Sequence, residues 1–414
     1  MVTIPHDWCE RQLQDICVPS GLVRGPFGGS LKKEIFQSSG KKVYEQRNAI
    51  YRSVNIGSYY ITDDKYRELI RFSVAPGDFI VSCSGTIGKI FRLPQNAPQG
   101  VINQALLKIS LESNICDPEY FYKYFEWYRF QDLITDDTQG GAMKNLVGMD
   151  KFKKTEFAMP QEISEQQEIA KALSKITVYI DDLSELIEKK KGIRDGALED
   201  LVTKKTRLDS FADDWTPVTF NQVISPKARI GWQGLKKHEY LRSGYCYLIG
   251  GTDFSNGTVS LDNISYVSKE RYDMDTNIQV SENDVLVTKD GTIGKVAIVP
   301  ELNKPATLNS GVFVFRTNSR LVPAFLFRVL QSSVFREFID TLSAGSTIKH
   351  LYQKDLKKFE FEIPVDTKEQ EAIAAVLTAM DEEIRDLETE RDKIIQIREG
   401  AMDDLLTGRV RLTK

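Results

Sequence analysis

The sequence predicts an α+β chain of two tandem repeats. Each repeat is a β-rich mixed α/β domain followed by one long helix, and the two helices pair as an antiparallel coiled coil. The first observation behind this is literal repetition. Gly85-Thr86-Ile87-Gly88-Lys89 returns unchanged as Gly291-Thr292-Ile293-Gly294-Lys295, Asp7-Trp8 returns as Asp214-Trp215, and Asn103, Lys144, Leu146 and Pro160 match Asn309, Lys349, Leu351 and Pro364. The offset drifts from 207 to 204 through small gaps, so the period is about 205 residues, far too long for a solenoid unit. The second observation is a pair of apolar stripes. Ile169, Leu173, Ile176, Ile180, Leu183 and Ile187 recur at spacings of four and three, as do Ile373, Leu377, Met380, Ile384 and Leu387, with Arg391 where Ile187 would fall. That is the period of a coiled-coil seam. A single stripe would serve equally well as a core helix, but these two also end alike, Asp195–Thr203 against Glu399–Thr407, each followed by Arg-Leu at 207–208 and 411–412.

The elements follow in the same order in both copies. Arg71–Ser82 and Ser281–Thr288 read as strands with Pro-Gly-Asp and Glu-Asn-Asp turn signals, and Val101–Ile109 and Gly311–Arg316 as further strands. Pro118–Phe130 and Pro323–Phe338 have helical spacing with proline at the start, then Gly-containing loops at Thr138–Met143 and Ser343–Ile348. Phe157–Pro160 and Phe361–Pro364 close each domain with a short strand, and the long helices occupy Gln161–Leu208 and Val365–Leu412. The expected segments are a first domain at 1–159, a helical spacer at 160–209, a second domain at 210–363 and a second helical spacer at 364–414.

Composition narrows the function classes. No apolar run approaches the roughly 20 residues of a membrane span, and the N-terminus lacks a signal-peptide layout, so a cytoplasmic location is expected. Cys9, Cys17, Cys83, Cys116 and Cys246 are scattered without metal-ligand spacing, and structural thiols are expected. The GTIGK pair does not fit a phosphate loop: that motif needs glycine where Cys83 and Lys289 stand, and Ser or Thr where Ile90 and Val296 stand. A tight turn between strands, with glycine supplying unusual backbone angles, fits better. No dinucleotide fingerprint, nucleophile elbow, HExxH or methyl-transfer motif is present, and no acid, base or nucleophile set is duplicated, so no enzyme activity, metal or cofactor is expected of the chain.

The positive finding is basic clusters. The whole chain carries −4, but the helical stretches account for −2 and −5, leaving the globular parts at +3. Leu22–Arg52 holds seven Lys/Arg against two acidic residues, and Leu31-Lys32-Lys33 aligns with Leu235-Lys236-Lys237 in a Gly-containing loop of the second copy. A second pair of clusters contains Lys144, Lys151, Lys153 and Lys154, and Lys349, Lys354, Lys357 and Lys358. Lysine and arginine beside flexible loops suit phosphate neutralisation, and Asn, Gln, Arg and Trp among them can meet base edges. The candidate DNA contacts are Arg24, Lys32, Lys33, Lys89 and Lys144 in the first repeat, and Arg229, Trp232, Lys236, Lys237, Lys295 and Lys349 in the second.

The domain–helix–domain–helix order, the paired GTIGK turns and the helix starts containing Gln166 and Gln370 resemble the specificity subunit of type I restriction–modification systems over the whole chain. Ile4-Pro5-His6-Asp7-Trp8 and Ala344-Gly345-Ser346-Thr347 are similar to that family too, while the first repeat departs with Gly140-Gly141-Ala142-Met143. The resemblance implies a non-catalytic subunit that reads double-stranded DNA with two target-recognition domains, one for each half of a bipartite site. It also implies two methyltransferase subunits and two restriction (translocase–nuclease) subunits as partners, which would use the methyl donor and ATP themselves. If the two seams pack together, each helix running between the same two domains, the helices must be antiparallel. Each would reach roughly 58 Å at 1.5 Å per residue, enough to hold half-sites about a helical turn or more apart. The alternative class is an interaction scaffold whose coiled coil pairs protein partners without reading DNA.

Overall fold

The computed structural model describes residues 5–136, 145–231, 234–343 and 350–412. They form two compact units, one of residues 1–184 with 389–414 and one of residues 185–388. The long helices run Ile163–Val202 and Thr367–Leu405. Within the first unit the start of the central helix (Ile169, Leu173) shares a core with the end of the C-terminal one (Met402, Leu405, Leu406). Within the second, the end of the central helix (Leu198, Leu201) shares a core with the start of the C-terminal one (Ile373, Leu377). Start lies beside end in both, so the pair is antiparallel. Both helices stop short of the Arg-Leu ends. The chain turns through a positive φ at Lys204 and at Gly408, and a Cβ at Gly408 would come within 2.6 Å of Pro5.

Each unit opens and closes on one antiparallel ribbon. Trp8–Gln12 pairs with Glu156–Pro160 and Trp215–Thr219 pairs with Glu360–Pro364, with Trp8 opposite Pro160 and Trp215 opposite Pro364. Inside lie two sheets. In the first unit an antiparallel sheet orders Cys17–Arg24, Leu106–Leu111, Phe79–Ser82 and Ile90–Arg92, and a mixed sheet carries Lys41–Tyr44 parallel to Gly100–Ile102. The second unit repeats this around Val285–Thr288 and the parallel pair Cys246–Ile249 and Ala306–Leu308, and extends the first sheet with the hairpin Phe254–Ser255 and Thr258–Val259. The central strands are buried on both faces. Phe79 and Val81 pack with Tyr120 and Phe121 of a helix, while Ile80 between them packs with Tyr44 and Ile102. Val285 and Val287 against Leu286 repeat the alternation, the two-residue period of a strand sandwiched between layers.

Four predicted elements divide, Val101–Ile109 among them, into Gly100–Ile102 and Leu106–Leu111. Within Arg71–Ser82, the Pro-Gly-Asp turn separates Ser73–Val74 from Phe79–Ser82, with Gly77 at φ 91° and the Asp78 carboxylate accepting from the Ala75 N–H. The predicted helices each break once, into Pro118–Glu126 with Tyr128–Ile134 and Pro323–Gln331 with Ser333–Ser343. The matched acidic residue in the last turns of the long helices holds the break. Glu199 accepts from the Ser333 N–H at 2.8 Å and from the Ser333 hydroxyl. Asp403 accepts from the Trp127 indole at 2.7 Å, the Tyr128 hydroxyl and Arg129. Burial raises the Asp403 carboxyl pKa, but these bonds outweigh it and leave it below its usual value.

The two glutamines are buried clamps. Gln166 accepts from the Asp117 N–H at 2.7 Å and donates to the carbonyls of Pro160 and Ile115; Gln370 accepts from the Val322 N–H at 2.8 Å and donates to those of Pro364 and Arg320. Each ties a long helix to its closing strand and to the segment that begins a domain helix. One residue earlier, Glu165 and Glu369 receive the arginine that follows the opposite helix: Arg411 donates to Glu165 and Arg207 to Glu369. Arg411 also donates to both oxygens of Asp7 at 2.9 and 2.6 Å, and these hydrogen bonds bring the Asp7 carboxyl down to about 2. Because its folded pKa is depressed, the Asp7 contact contributes fully above the ordinary carboxylate range and is lost as pH falls through about 2. A carbon-detected titration should therefore place the Asp7 midpoint near 2, and near the ordinary value of about 3.9 in Arg411→Ala. An ordinary midpoint in the wild type would refute the contact.

Candidate nucleic-acid interface

Both units bring the same three segments to one end of their sheets: the basic loop, the turn around the matched asparagine, and the GTIGK hairpin. In the first unit the basic loop leaves Cys17–Arg24 and is pinned at once. Gly25 donates to the Leu106 carbonyl, and a Cβ there would lie 1.8 Å from the Asn103 carbonyl oxygen, so only glycine permits the approach. Lys32 and Lys33 then stand exposed on two short 3-10 turns, Gly28–Leu31 and Lys33–Ile35. Beneath them is a cavity of about 160 Å³ with Pro26, Phe36, Glu45, Tyr59, Asn103 and Gln104 in its wall. The Phe36 and Tyr59 rings stack at 4.5 Å, and Phe27 of the same loop is exposed.

Much of the positive charge read from this stretch is already committed. Lys42 is buried, donates to the Gly57 carbonyl, and has its pKa pushed down by burial. Lys41 donates to Gln99, and Arg47 and Arg52 pair with Glu45 and Glu126. Arg24 is half-buried. The surface charge of the loop therefore concentrates on Lys32 and Lys33.

In the second unit, Lys236 and Lys237 are exposed on the corresponding loop, which is held by Glu239 accepting from the Lys236 N–H and pairing with Arg271 at 2.7 Å. Tyr240 links the loop to the asparagine turn, its hydroxyl donating to Asn309 at 3.3 Å. Arg229 departs from expectation. It is only 2% exposed and donates to the Leu308 carbonyl and the Thr307 hydroxyl, so in this structure it braces the asparagine turn from inside and offers no surface to a phosphate. Desolvation among these groups pulls its pKa down.

The two GTIGK segments are hairpin turns of one design. Gly85, Gly88, Gly291 and Gly294 all have positive φ. The hydroxyl of Ser82 or Thr288 accepts from the N–H of Lys89 or Lys295, while the Gly88 or Gly294 N–H bonds the Ser82 or Thr288 carbonyl. Lys89 and Lys295 are both exposed, though Lys295 also reaches the Phe254 carbonyl of the added hairpin. Lys144, Trp232 and Lys349 lie outside the described residues, as do most of the two Gly-containing loops.

Sequence reasoning missed Gln46, whose amide lies 4.0 Å from where a Gly85 Cβ would stand, and Tyr240. It also missed the pair of Asp290 and His350, which meet at 2.7 Å. The available signal was the mismatch of Ser84 with Asp290 directly beside an identical motif. Burial pushes the Cys83 thiol, two residues before that motif, up to about 12. Among the described residues no group of His, Cys, Asp and Glu is placed to hold a metal ion. Nor, among them, is any helix long and apolar enough to cross a membrane.

Comparison with known proteins agrees with this duplicated arrangement. The family described as type I restriction modification DNA specificity domain matches residues 5–191 and again 213–397. A putative type I restriction enzyme MjaX specificity subunit from Methanocaldococcus jannaschii is 23% identical over 422 aligned positions, covering 99% of this chain and 95% of that protein. The EcoBI specificity subunit of Escherichia coli is 25% identical over 326 positions, covering 73% of this chain and 66% of its own length. Among solved structures, the S subunit of a type I restriction–modification system from M. genitalium superposes with a TM-score of 0.57 at 15% identity, covering 97% of this chain and 96% of that one. A chain from a study of complex assembly and conformational transition of the type I R-M system gives 0.60 at 14%, covering 99% and 100%. With two family matches spanning most of its length on two copies of one fold, this chain belongs to the type I restriction–modification DNA specificity family.

Proposed function

We propose that the chain reads a bipartite duplex target, one half with each domain, and carries methyltransferase and restriction subunits to it without catalysing a step itself. The observation that carries this reading is the duplicated sheet-end surface. Exposed lysines, an asparagine turn and a glycine hairpin converge in each unit on frames whose clamps match residue for residue. A positive loop beside hydrogen-bonding side chains supplies backbone positioning and base readout together. Docking of partners is supported by the long helices, whose outer faces leave Val178, Leu186, Ile193 and Ile397 exposed. The relative from the study of complex assembly belongs to a type I R-M system, which fits two modification and two restriction subunits as partners here. As in the sequence, Lys32, Lys33, Lys89, Lys236, Lys237 and Lys295 are the proposed contacts, together with Arg24, Lys144, Trp232 and Lys349.

The experiment is binding of the methyltransferase-loaded complex to its target duplex across a salt series. Lys32→Ala with Lys33→Ala should weaken binding and flatten the logarithmic salt dependence by up to about one unit per lost phosphate contact. Lys236→Ala with Lys237→Ala should do the same through the other half-site. Wild-type affinity and slope in both double variants would make these lysines bystanders.

A further inference from the structure

We infer that His350, held in place by Asp290, determines specificity in the second domain by accepting a hydrogen bond from an exocyclic amino group of a base, adenine N6 or cytosine N4, in the major groove. This rests on the DNA reading proposed above. Where the repeats align, GTIGK is identical, Asn103 matches Asn309 and Leu146 matches Leu351, yet Ser84 becomes Asp290 and Asn145 becomes His350. Two positions that differ in sequence meet as one pair in space, His350 Nδ1 lying 2.7 Å from Asp290 Oδ1. Around them the frame is duplicated, so the pair is a place where the two domains present different chemistry on the same support.

The pair lies on the candidate interface. Lys289 donates through its backbone to Gly311, at the end of the turn that starts with Asn309, and Asn309 in turn receives the hydroxyl of Tyr240 from the basic loop. A contiguous path of contacts therefore leads from Lys236 and Lys237 to His350. The side chains of His350 and Asp290 are 52% and 37% exposed, open enough to meet a ligand. A purely structural role is poorly supported, because the backbone already joins the two segments. Asp290 and His350 form a β-bridge, and the Leu351 N–H donates to the Lys289 carbonyl at 2.8 Å. A side-chain hydrogen bond at such exposure adds little to stability.

The hydrogen bond also fixes the tautomer. An ionised carboxylate only accepts, so in the neutral imidazole Nδ1 carries the proton and Nε2 is the acceptor offered to a base. The remaining lone pairs of Asp290 are acceptors as well, and acidic side chains pair with the amino group of cytosine. With the ring held by Asp290 and flanked by Tyr352 at 6.0 Å, little rotamer freedom is lost on contact. Lys354 sits over the Tyr352 ring at 5.4 Å and adds positive charge to this segment.

The test uses the full chain in complex with its methyltransferase and a set of duplexes in which each base pair of both half-sites is replaced in turn. In His350→Ala, discrimination at one adenine or cytosine of the second domain's half-site should fall about tenfold or more, with the first half-site and the thermal midpoint unchanged. Asp290→Ala, which removes the acceptor, should produce a smaller loss at the same position, by releasing the ring. Unchanged discrimination at every position overturns the inference. So does an affinity loss equal across all duplexes, which would make His350 a phosphate contact. A wild-type complex that prefers no duplex would instead overturn the DNA reading itself, and the inference with it.

Discussion

Gln370→Leu is expected to destabilise the second unit by about 3 kcal/mol, because the substitution keeps the volume but strips hydrogen bonds from three backbone groups. The Val322 N–H and the carbonyls of Pro364 and Arg320 all meet the Gln370 amide, which is fully buried. Water cannot replace that amide at the Pro364 end without opening the ribbon of Trp215–Thr219 and Glu360–Pro364. For a unit of this size the loss corresponds to a fall in midpoint of roughly 6–12 °C. Calorimetry on the full chain measures it, and Gln166→Leu should do the same to the first unit through Asp117, Pro160 and Ile115. Two variants with wild-type midpoints would show that these glutamines hold nothing.

Exchange of Val2–Ala158 for the matching segment of another family member should replace one half of the recognised target and leave the other intact. The structural warrant is that the domain begins and ends on one ribbon, Trp8–Gln12 against Glu156–Pro160, so the segment enters and leaves the frame at a single place. Complete loss of one half-site, several base pairs at about 1–3 kcal/mol each, amounts to a thousandfold or greater change in preference. The exchange must respect the grip of the C-terminal helix. A donor segment lacking the counterparts of Asp7, Trp127 and Arg129 would cost Arg411 its Asp7 contacts and Asp403 its indole and guanidinium donors, and should fold less stably. Co-transfer of Thr389–Leu412 from the same donor should restore stability. Mapping of methylated positions reads the outcome, and a chimera that altered both halves would sink the modular reading.

Repetition and periodicity carried much of the architecture. The GTIGK pair was legible as a hairpin because glycine at fixed places tolerates the positive φ such turns use, and the heptad stripes were legible because burial along a seam imposes its own period. The domain helices were misread as continuous. Nothing in the local composition of Pro118–Phe130 shows that Asp403, distant in sequence, will take the Trp127 indole and favour a break there. Charge misled for a related reason: a lysine run looks the same whether its members end in water or, like Lys42, inside the fold.

By itself the sequence determined the two-copy order, the antiparallel logic of the helices and the family, because those depend on patterns that each short segment carries. Only the tertiary structure decided which of the matched residues are frame and which are surface. Gln166, Gln370 and Arg229 are buried among backbone groups and Glu369 against Arg207 and Trp215, while Lys32, Lys33, Lys236 and Lys237 remain exposed. It also decided that Asp290 and His350 meet. The physical reason is that burial and hydrogen bonding are settled between segments far apart in the chain, by how closely their backbones approach, and no single segment records that distance.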